Sequence, residues 1–137
     1  MEDIIQEQIN MKITTARKKA FKWFSLYIRK KGASFQGYNR CVSCGAVKKW
    51  QDFDAGHFIH GVTKATYFEE NNVHPQCRKC NTYLSGKLIE YTLYMLRTYG
   101  KKEIDRLREL SFKTKLWTKG ELKEIEEKYK KKFNELE

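Results

Sequence analysis

The sequence is poor in several features that define other classes of protein. It has one proline in 137 residues, which favours a chain rich in helix, and it has no internal repeat or low-complexity segment. No apolar run approaches the roughly 20 residues that a membrane-spanning helix needs. The opening Met1-Glu2-Asp3 begins no apolar signal segment. We therefore expect no membrane partner and a reducing compartment.

Cysteine and, over one long stretch, acidic side chains are also scarce. Four cysteines are too few for a disulfide scaffold. Residues 12–40 contain nine Lys or Arg and no Asp or Glu, and the whole chain has a formal net charge of +11. This excess favours a polyanion partner, most simply a nucleic acid. A basic protein with no such partner is the alternative.

The four cysteines form two C-x-x-C pairs, Cys41 with Cys44 and Cys77 with Cys80. Two such pairs can hold one tetrahedral Zn²⁺, because each pair places two thiolates on one side of a tight turn. Two disulfides are the alternative, which the expected reducing compartment disfavours. A structural zinc alone does not imply catalysis, since many such sites only stabilise a fold.

Three polar residues accompany the cysteines, and a zinc ion would bring them together: Asp54, His57 and Asn81. The Asp54 carboxylate and the Asn81 amide oxygen suit Mg²⁺ or Mn²⁺, whereas thiolates hold zinc. A neutral His57 can act as a general base near pH 7. The set predicts metal-dependent cleavage of a phosphodiester. Taken singly, His57 is an ordinary hairpin residue and Asn81 a helix N-cap.

Hydrophobic periodicity predicts one long helix over residues 3–31. Six apolar residues recur at alternating spacings of four and three: Ile9, Ile13, Ala16, Ala20, Trp23 and Tyr27. This stripe packs either on its own domain or against another chain, and the sequence leaves both open. Basic residues fill much of the remaining surface, and we expect four of them to contact DNA: Arg17, Lys18, Lys19 and Lys22.

The rest of the chain completes an α+β, mostly helical fold. We expect a short hairpin after the first cysteine pair, with Phe53, Phe58 and Ile59 buried, and irregular structure over residues 61–76. A helix begins near Cys80 and ends at Gly100. A short helix covers residues 102–110, and the last helix begins at the capping box Thr118–Glu121. Three parts follow: a basic amphipathic helix (1–37), a zinc-binding core (38–110) and a C-terminal helix (111–137).

These motifs resemble those of the HNH, or ββα-metal, nucleases. That fold has a His on a hairpin, an Asn in the connecting loop and a His or Asn on the following helix, and His57, Asn72 and Asn81 match this order. The resemblance implies that Asn72 braces the loop. The stretches Asp54-x-x-His57 and Cys77-x-x-Cys80-Asn81 are also similar to phage endonuclease VII, a Holliday junction resolvase with a four-cysteine zinc.

A more extensive resemblance, over about residues 38–110, is to the phage lambda NinG (Rap) recombination family. It is carried by Cys41–Gly45, Ala55–Ile59, Phe68–Cys77 and Cys80–Gly86. It implies a phage-encoded, structure-specific endonuclease that cuts branched DNA, Holliday junctions included, in the cytoplasm of the bacterial host. Paired cuts on a junction imply a homodimer. Structural Zn²⁺ and catalytic Mg²⁺ or Mn²⁺ are the expected cofactors.

Two departures from these families concern the second half of the core. Lys87 follows Ser85-Gly86 where the NinG family tends to have Asn, and Leu84 stands where endonuclease VII has a glutamate. A third metal ligand therefore stays open among three candidates: Glu69, Glu70 and Glu90.

Further basic residues near the second cysteine pair are expected to contact DNA: Arg78, Lys79 and Lys87. Gly86 within the predicted helix indicates that a DNA backbone passes close to it. His60 is a candidate phosphate contact, and His74 is expected to pack or orient a loop. Two other functions remain open, a non-catalytic zinc module that binds DNA or RNA and an HNH nicking or flap endonuclease.

Overall fold

The structure, a computed structural model, describes residues 2–136 and divides into two units. One unit is formed by the chain up to Tyr27 together with the chain from Trp117 onward, and the other is Ile28–Leu116. Helices predominate, and the described strands form two small antiparallel sheets. The expected mixed, mostly helical fold is confirmed. Among the described residues, no helix has the length and apolarity required to cross a membrane.

The first unit is built on two helices, most of α1 (Glu2–Lys31) and α4 (Lys119–Asn134). Both match the sequence prediction, including the capping box in which Thr118 and Glu121 exchange hydrogen bonds. Phe24 is fully buried, and its ring centroid lies 4.8 Å from that of Tyr129. The later part of the apolar stripe also packs within its own chain, since the Trp23 ring lies 5.8 Å from that of Phe133 and the Tyr27 ring 5.5 Å from that of Tyr129. Its first residue, Ile9, is 45% exposed.

In the second unit, the first cysteine pair lies in a small hairpin. Strands β1 (Tyr38–Arg40) and β2 (Val47–Lys49) pair antiparallel, with Tyr38 opposite Lys49. The turn between them contains Cys41 and Cys44, and Gly45 adopts a φ of 78° there. A side chain would strain this conformation, so the glycine sets the turn that presents the two thiols.

Strands β3 (Asp54–His57) and β4 (Val73–Gln76) form the second antiparallel pair, with Asp54 opposite Gln76 and His57 opposite Val73. The expected hairpin was therefore placed wrongly, because the partner of β3 comes from the segment expected to be irregular. All four residues of β4 are buried. The strand is only four residues long and contains Pro75, and a proline in a short segment argues against a strand when only the sequence is known.

The segment after Cys80 is a helical turn, a break and then a helix. A π-helical turn covers Lys79–Tyr83. Positive φ angles follow at three residues, Ser85, Gly86 and Lys87. Helix α2 then runs from Leu88 to Thr98. The prediction of one continuous helix from Cys80 to Gly100 was wrong. Gly86 (φ +84°) lies in the break. Helix α3 (Lys101–Ser111) follows as expected.

Two apolar clusters stabilise the second unit. One joins Tyr91 and Met95 of α2 to Phe58 and Leu107, and Ile59 packs against it half-buried. The other sets Phe53 against Cys41, Cys77 and Cys80. The predicted burial of Phe53 and Phe58 is confirmed, at 3% and 8% exposure.

Candidate functional site

The four cysteines converge on one point. Their Sγ atoms all lie within 4.8 Å of one another, and those of Cys44 and Cys77 are 3.7 Å apart. A tetrahedral zinc with Zn–S bonds of about 2.3 Å separates its sulfurs by roughly 3.8 Å. Three of the side chains are buried and Cys44 is exposed. This arrangement can hold a metal ion such as zinc.

The electrostatics of the thiols fit a cation between them. Burial raises the pKa of Cys41, but backbone N–H donors, that of Cys77 among them at 3.3 Å, outweigh it and lower the pKa to about 7. Burial and the neighbouring thiols raise the pKa of Cys80 far above its usual value. The opposed pKa shifts mean that ionisation of one thiol disfavours ionisation of its neighbours, unless a positive charge lies among them.

Asp54 and Asn81 meet beside this cluster. Asp54 begins β3, Asn81 follows Cys80 in the π-helical turn, and Asn81 Nδ2 donates to Asp54 Oδ2 at 3.2 Å. Arg78 Nη2 lies 3.6 Å from the other carboxylate oxygen, and its side chain is 74% exposed. The structure thus brings together two of the three predicted polar residues, with a basic residue as neighbour.

His57 ends the same strand, three residues after Asp54. His57 and Asp54 thus lie at the two ends of β3, and three strand residues span about 10 Å. Its Nε2 lies 3.0 Å from the backbone oxygen of Tyr67, and its ring stacks on the Tyr67 ring at a centroid distance of 4.8 Å. A carbonyl can only accept, so Nε2 is protonated and Nδ1 holds the lone pair.

Burial, more than any other cause, lowers the pKa of His57 to about 4. The backbone carbonyl of Tyr67 opposes this shift, and the nearby His60 adds to it. The imidazole is therefore neutral at pH 7, the state that a general base requires.

Asn72 holds the long connection between β3 and β4 closed. It is fully buried, its Oδ1 accepts from the backbone N–H of Ile59 at 2.9 Å, and its Nδ2 donates to the carbonyls of Ile59 and Thr66. These bonds fix the connection that follows His57 in the chain.

The family of the chain follows from its sequence relatives. A sequence profile described as Bacteriophage Lambda NinG protein matches residues 5–137. The chain belongs to the NinG family. It is 30% identical over 128 residues to the ninG protein of Escherichia phage lambda and 31% identical to that of Salmonella phage P22. The predicted family resemblance is confirmed, and the match also covers the long terminal helices.

The alignment to these NinG proteins covers 88% of this chain and 62% of each relative. The ninG protein of Escherichia phage 933W is 30% identical, with 63% of its length covered. The chain thus spans less than two thirds of the length of the curated relatives it matches. No solved structure matches the chain.

Two of the three candidates for a third metal ligand in this NinG chain form ion pairs with other residues. Glu69 forms an ion pair with Arg106 at 3.6 Å, and Glu70 forms one with Lys31 at 3.5 Å. Glu90 lies in the first turn of α2. The basic residues on α1 and around Cys80 are surface residues, half-buried at Arg17 and Lys87 and exposed at five positions: Lys18, Lys19, Lys22, Arg78 and Lys79.

His74 has a part that the sequence did not reveal. The Tyr91 hydroxyl donates to the Gly56 carbonyl at 2.7 Å, so it accepts from His74 Nδ1 at 2.8 Å, and His74 Nε2 accepts from Tyr99 at 2.7 Å. This chain of bonds joins β3, β4 and α2 behind the site. Only the aromatic spacing of Tyr91 and Tyr99 hints at it in the sequence, and that spacing does not name His74 as their partner.

Proposed function

We propose that this chain is a phage-encoded, structure-specific DNA endonuclease that cuts branched DNA, Holliday junctions included, by metal-dependent hydrolysis in the bacterial cytoplasm. The observation that supports this most is the contact of Asp54 with Asn81 beside the cysteine cluster, on the strand that ends in His57.

The order of elements supports the likeness to HNH nucleases and endonuclease VII. His57 ends β3, Asn72 ends the connection to β4, and Asn81 lies in the helical turn after β4. This is the strand–strand–helix order of that fold, with each of the three residues on its expected element.

His57 would act as the general base through Nδ1. The Tyr67 carbonyl holds the proton on Nε2, and the stacked Tyr67 ring fixes the plane of the imidazole. Nδ1 takes a proton from water, the resulting hydroxide bonds to phosphorus, and the P–O3′ bond breaks to leave a 5′-phosphate and a 3′-alkoxide, which takes a proton from a second water to become the 3′-hydroxyl. The negative charge of the bound DNA raises the pKa of His57 toward the working pH.

Asp54 and Asn81 would hold the catalytic cation, since carboxylate and amide oxygens suit Mg²⁺ or Mn²⁺. Such an ion, when bound, neutralises charge on the scissile phosphate. Asn81 now points Nδ2 at Asp54, so its amide must turn to present Oδ1. Arg78 is exposed enough to move from Asp54 to a DNA phosphate.

A second copy of the chain is the proposed partner, through the first half of α1. The surface includes Ile5 and Ile9, which are 54% and 45% exposed. Charge is divided along this helix, with Glu2, Asp3 and Glu7 before Ile9 and only basic residues among the charged ones from Lys12 to Arg40. Two antiparallel copies would set the acidic end of each helix against the basic stretch of the other.

The test is cleavage of a synthetic four-way junction, compared with a linear duplex of the same sequence, in Mg²⁺ and in EDTA. We expect paired cuts on the junction that need Mg²⁺, and little cutting of the duplex. Binding without cutting would favour the non-catalytic zinc module. Single cuts confined to flaps or nicks would make the chain a flap or nicking endonuclease.

A further inference from the structure

A pocket of about 500 Å³ opens beside His57, in the size range of sites that take small organic groups. We call it the Leu88 pocket. Its surface is mainly apolar and includes Ile59, Leu88 and Ile104, with the His60 ring beside them. Leu88, the first residue of α2, is 60% exposed. Apolar walls of this kind favour a flat, largely apolar ligand.

The charges around the pocket are positive. Lys64 and Arg108 line it, and none of its lining residues is acidic. Neither side chain forms an ion pair with any residue from 2 to 136. An apolar hollow between two available cations fits a group that has a flat body and anionic flanks, as a nucleotide within a DNA strand does.

The backbone beside this pocket is conformationally strained. Ser85 and Lys87 have φ values of 51° and 46°, a region that side chains other than glycine rarely occupy. Between them, a methyl group on Gly86 would come within 3.3 Å of His60 Nε2. Two strained residues and a glycine thus separate α2 from His60. Strain of this kind is typical of ligand sites, where the surrounding structure holds it.

We propose that the Leu88 pocket receives one unstacked nucleobase from the branch point of the DNA, with the flanking phosphates on Lys64 and Arg108. The inference rests on the proposed nuclease function. A base at a branch leaves the stack more easily than one in a continuous duplex. Capturing it beside His57 would select branched DNA by the ease of unstacking rather than by sequence.

The experiment uses four-way junctions that have 2-aminopurine at single positions around the branch, bound in Ca²⁺ so that cutting does not interfere. Unstacking raises the fluorescence of this base. We expect the wild type to raise it at one position, and Leu88→Trp, which fills the pocket, to abolish the rise. Leu93→Trp is the matched control, since Leu93 is 49% exposed on the same helix but does not line the pocket.

A second measurement keeps the proposal testable if Leu88→Trp does not fold. Removing the captured base should weaken binding of the wild type by about tenfold, a stacking contribution of the usual size. The double variant Lys64→Ala, Arg108→Ala should bind less tightly and show no fluorescence rise. Equal fluorescence at every position would contradict the pocket proposal, and so would the same response from Leu88→Trp as from wild type. If the junction is still cut in Mg²⁺, the proposed nuclease function is unaffected by either result. No preference for branched over linear DNA would overturn both.

Discussion

His74 Nδ1 lies 2.8 Å from the hydroxyl oxygen of Tyr91, and both residues are buried. Burial, with a smaller contribution from Lys31, lowers the pKa of His74 to about 3. A proton on Nε2 would also remove the acceptor that Tyr99 needs. The neutral imidazole is therefore part of the folded core.

The stability of the protein should fall with acid in a window set by the buried imidazoles, of which His74 has the larger pKa shift and His57 the smaller. The pKa of His74 in the unfolded state is about 6.5, so below that pH the imidazole is protonated in the unfolded state but stays neutral in the folded state. Stability is complete above pH 6.5 and is lost as the pH falls toward 3, by up to a few kcal/mol. The measurement is urea unfolding from pH 7 to pH 5 in excess zinc. His74→Gln should weaken the dependence, and the part that remains should come from His57, whose folded pKa is about 4.

We expect one zinc ion per chain, bound by the four cysteines. Cys77→Ser should lose the metal and unfold the Ile28–Leu116 unit, since structural zinc contributes on the order of 10 kcal/mol to small domains. Elemental analysis and circular dichroism report the two effects. Thr82→Ala, at an exposed position in the same turn, is the control and should keep its zinc. A folded, active protein without zinc would contradict this expectation.

His57→Ala should abolish cutting by at least about a hundredfold and leave junction affinity within about twofold, because a base acts in the transition state and adds little to binding. In the wild type, the acidic limb of kcat/KM should lie well below pH 6.5, since His57 loses its lone pair only as the pH falls toward 4. Binding that falls in step with cutting would mean that His57 serves the fold.

Asp54→Ala and Asn81→Ala should each lose Mg²⁺-dependent cutting while zinc content stays at one per chain. Mn²⁺ in excess should partly restore Asn81→Ala, since a neutral ligand contributes less than a charged one. Asn81→Asp provides a second test, because it keeps an oxygen ligand and adds charge. Full activity in Asp54→Ala would place the cation elsewhere.

The proposed dimer predicts that Ile9→Asp yields a monomer in light scattering, because the variant would bury a charge in the apolar interface between the two α1 helices. Val62→Asp is matched to it, since Val62 and Ile9 are both 45% exposed. The control variant should keep the mass of the wild type. A wild type that is monomeric both free and on a junction would rule out the α1 interface.

The predictable parts of this protein are those with local signals. The cysteine spacing predicted the cluster, and the capping box predicted the start of α4. Strand β4 was missed because it has only four residues and one of them is Pro75. The break at Gly86 was missed because Ser85 and Lys87 adopt positive φ only where tertiary contacts hold them. Asp54 and Asn81 were matched correctly because zinc geometry links their neighbours, whereas the partners of His74 depend on packing between distant segments.

The division of the chain into units has a consequence for its synthesis. Ile28–Leu116 is continuous, so it can fold and take up its metal as soon as it leaves the ribosome. The helix pair needs both ends of the sequence, because Phe24 is covered by Tyr129. During synthesis, Phe24 and Ala20 therefore stay exposed to water until more than a hundred further residues are translated. A chain shortened before Tyr129 would therefore leave the apolar side chains of Phe24 and Ala20 exposed to water and prone to association.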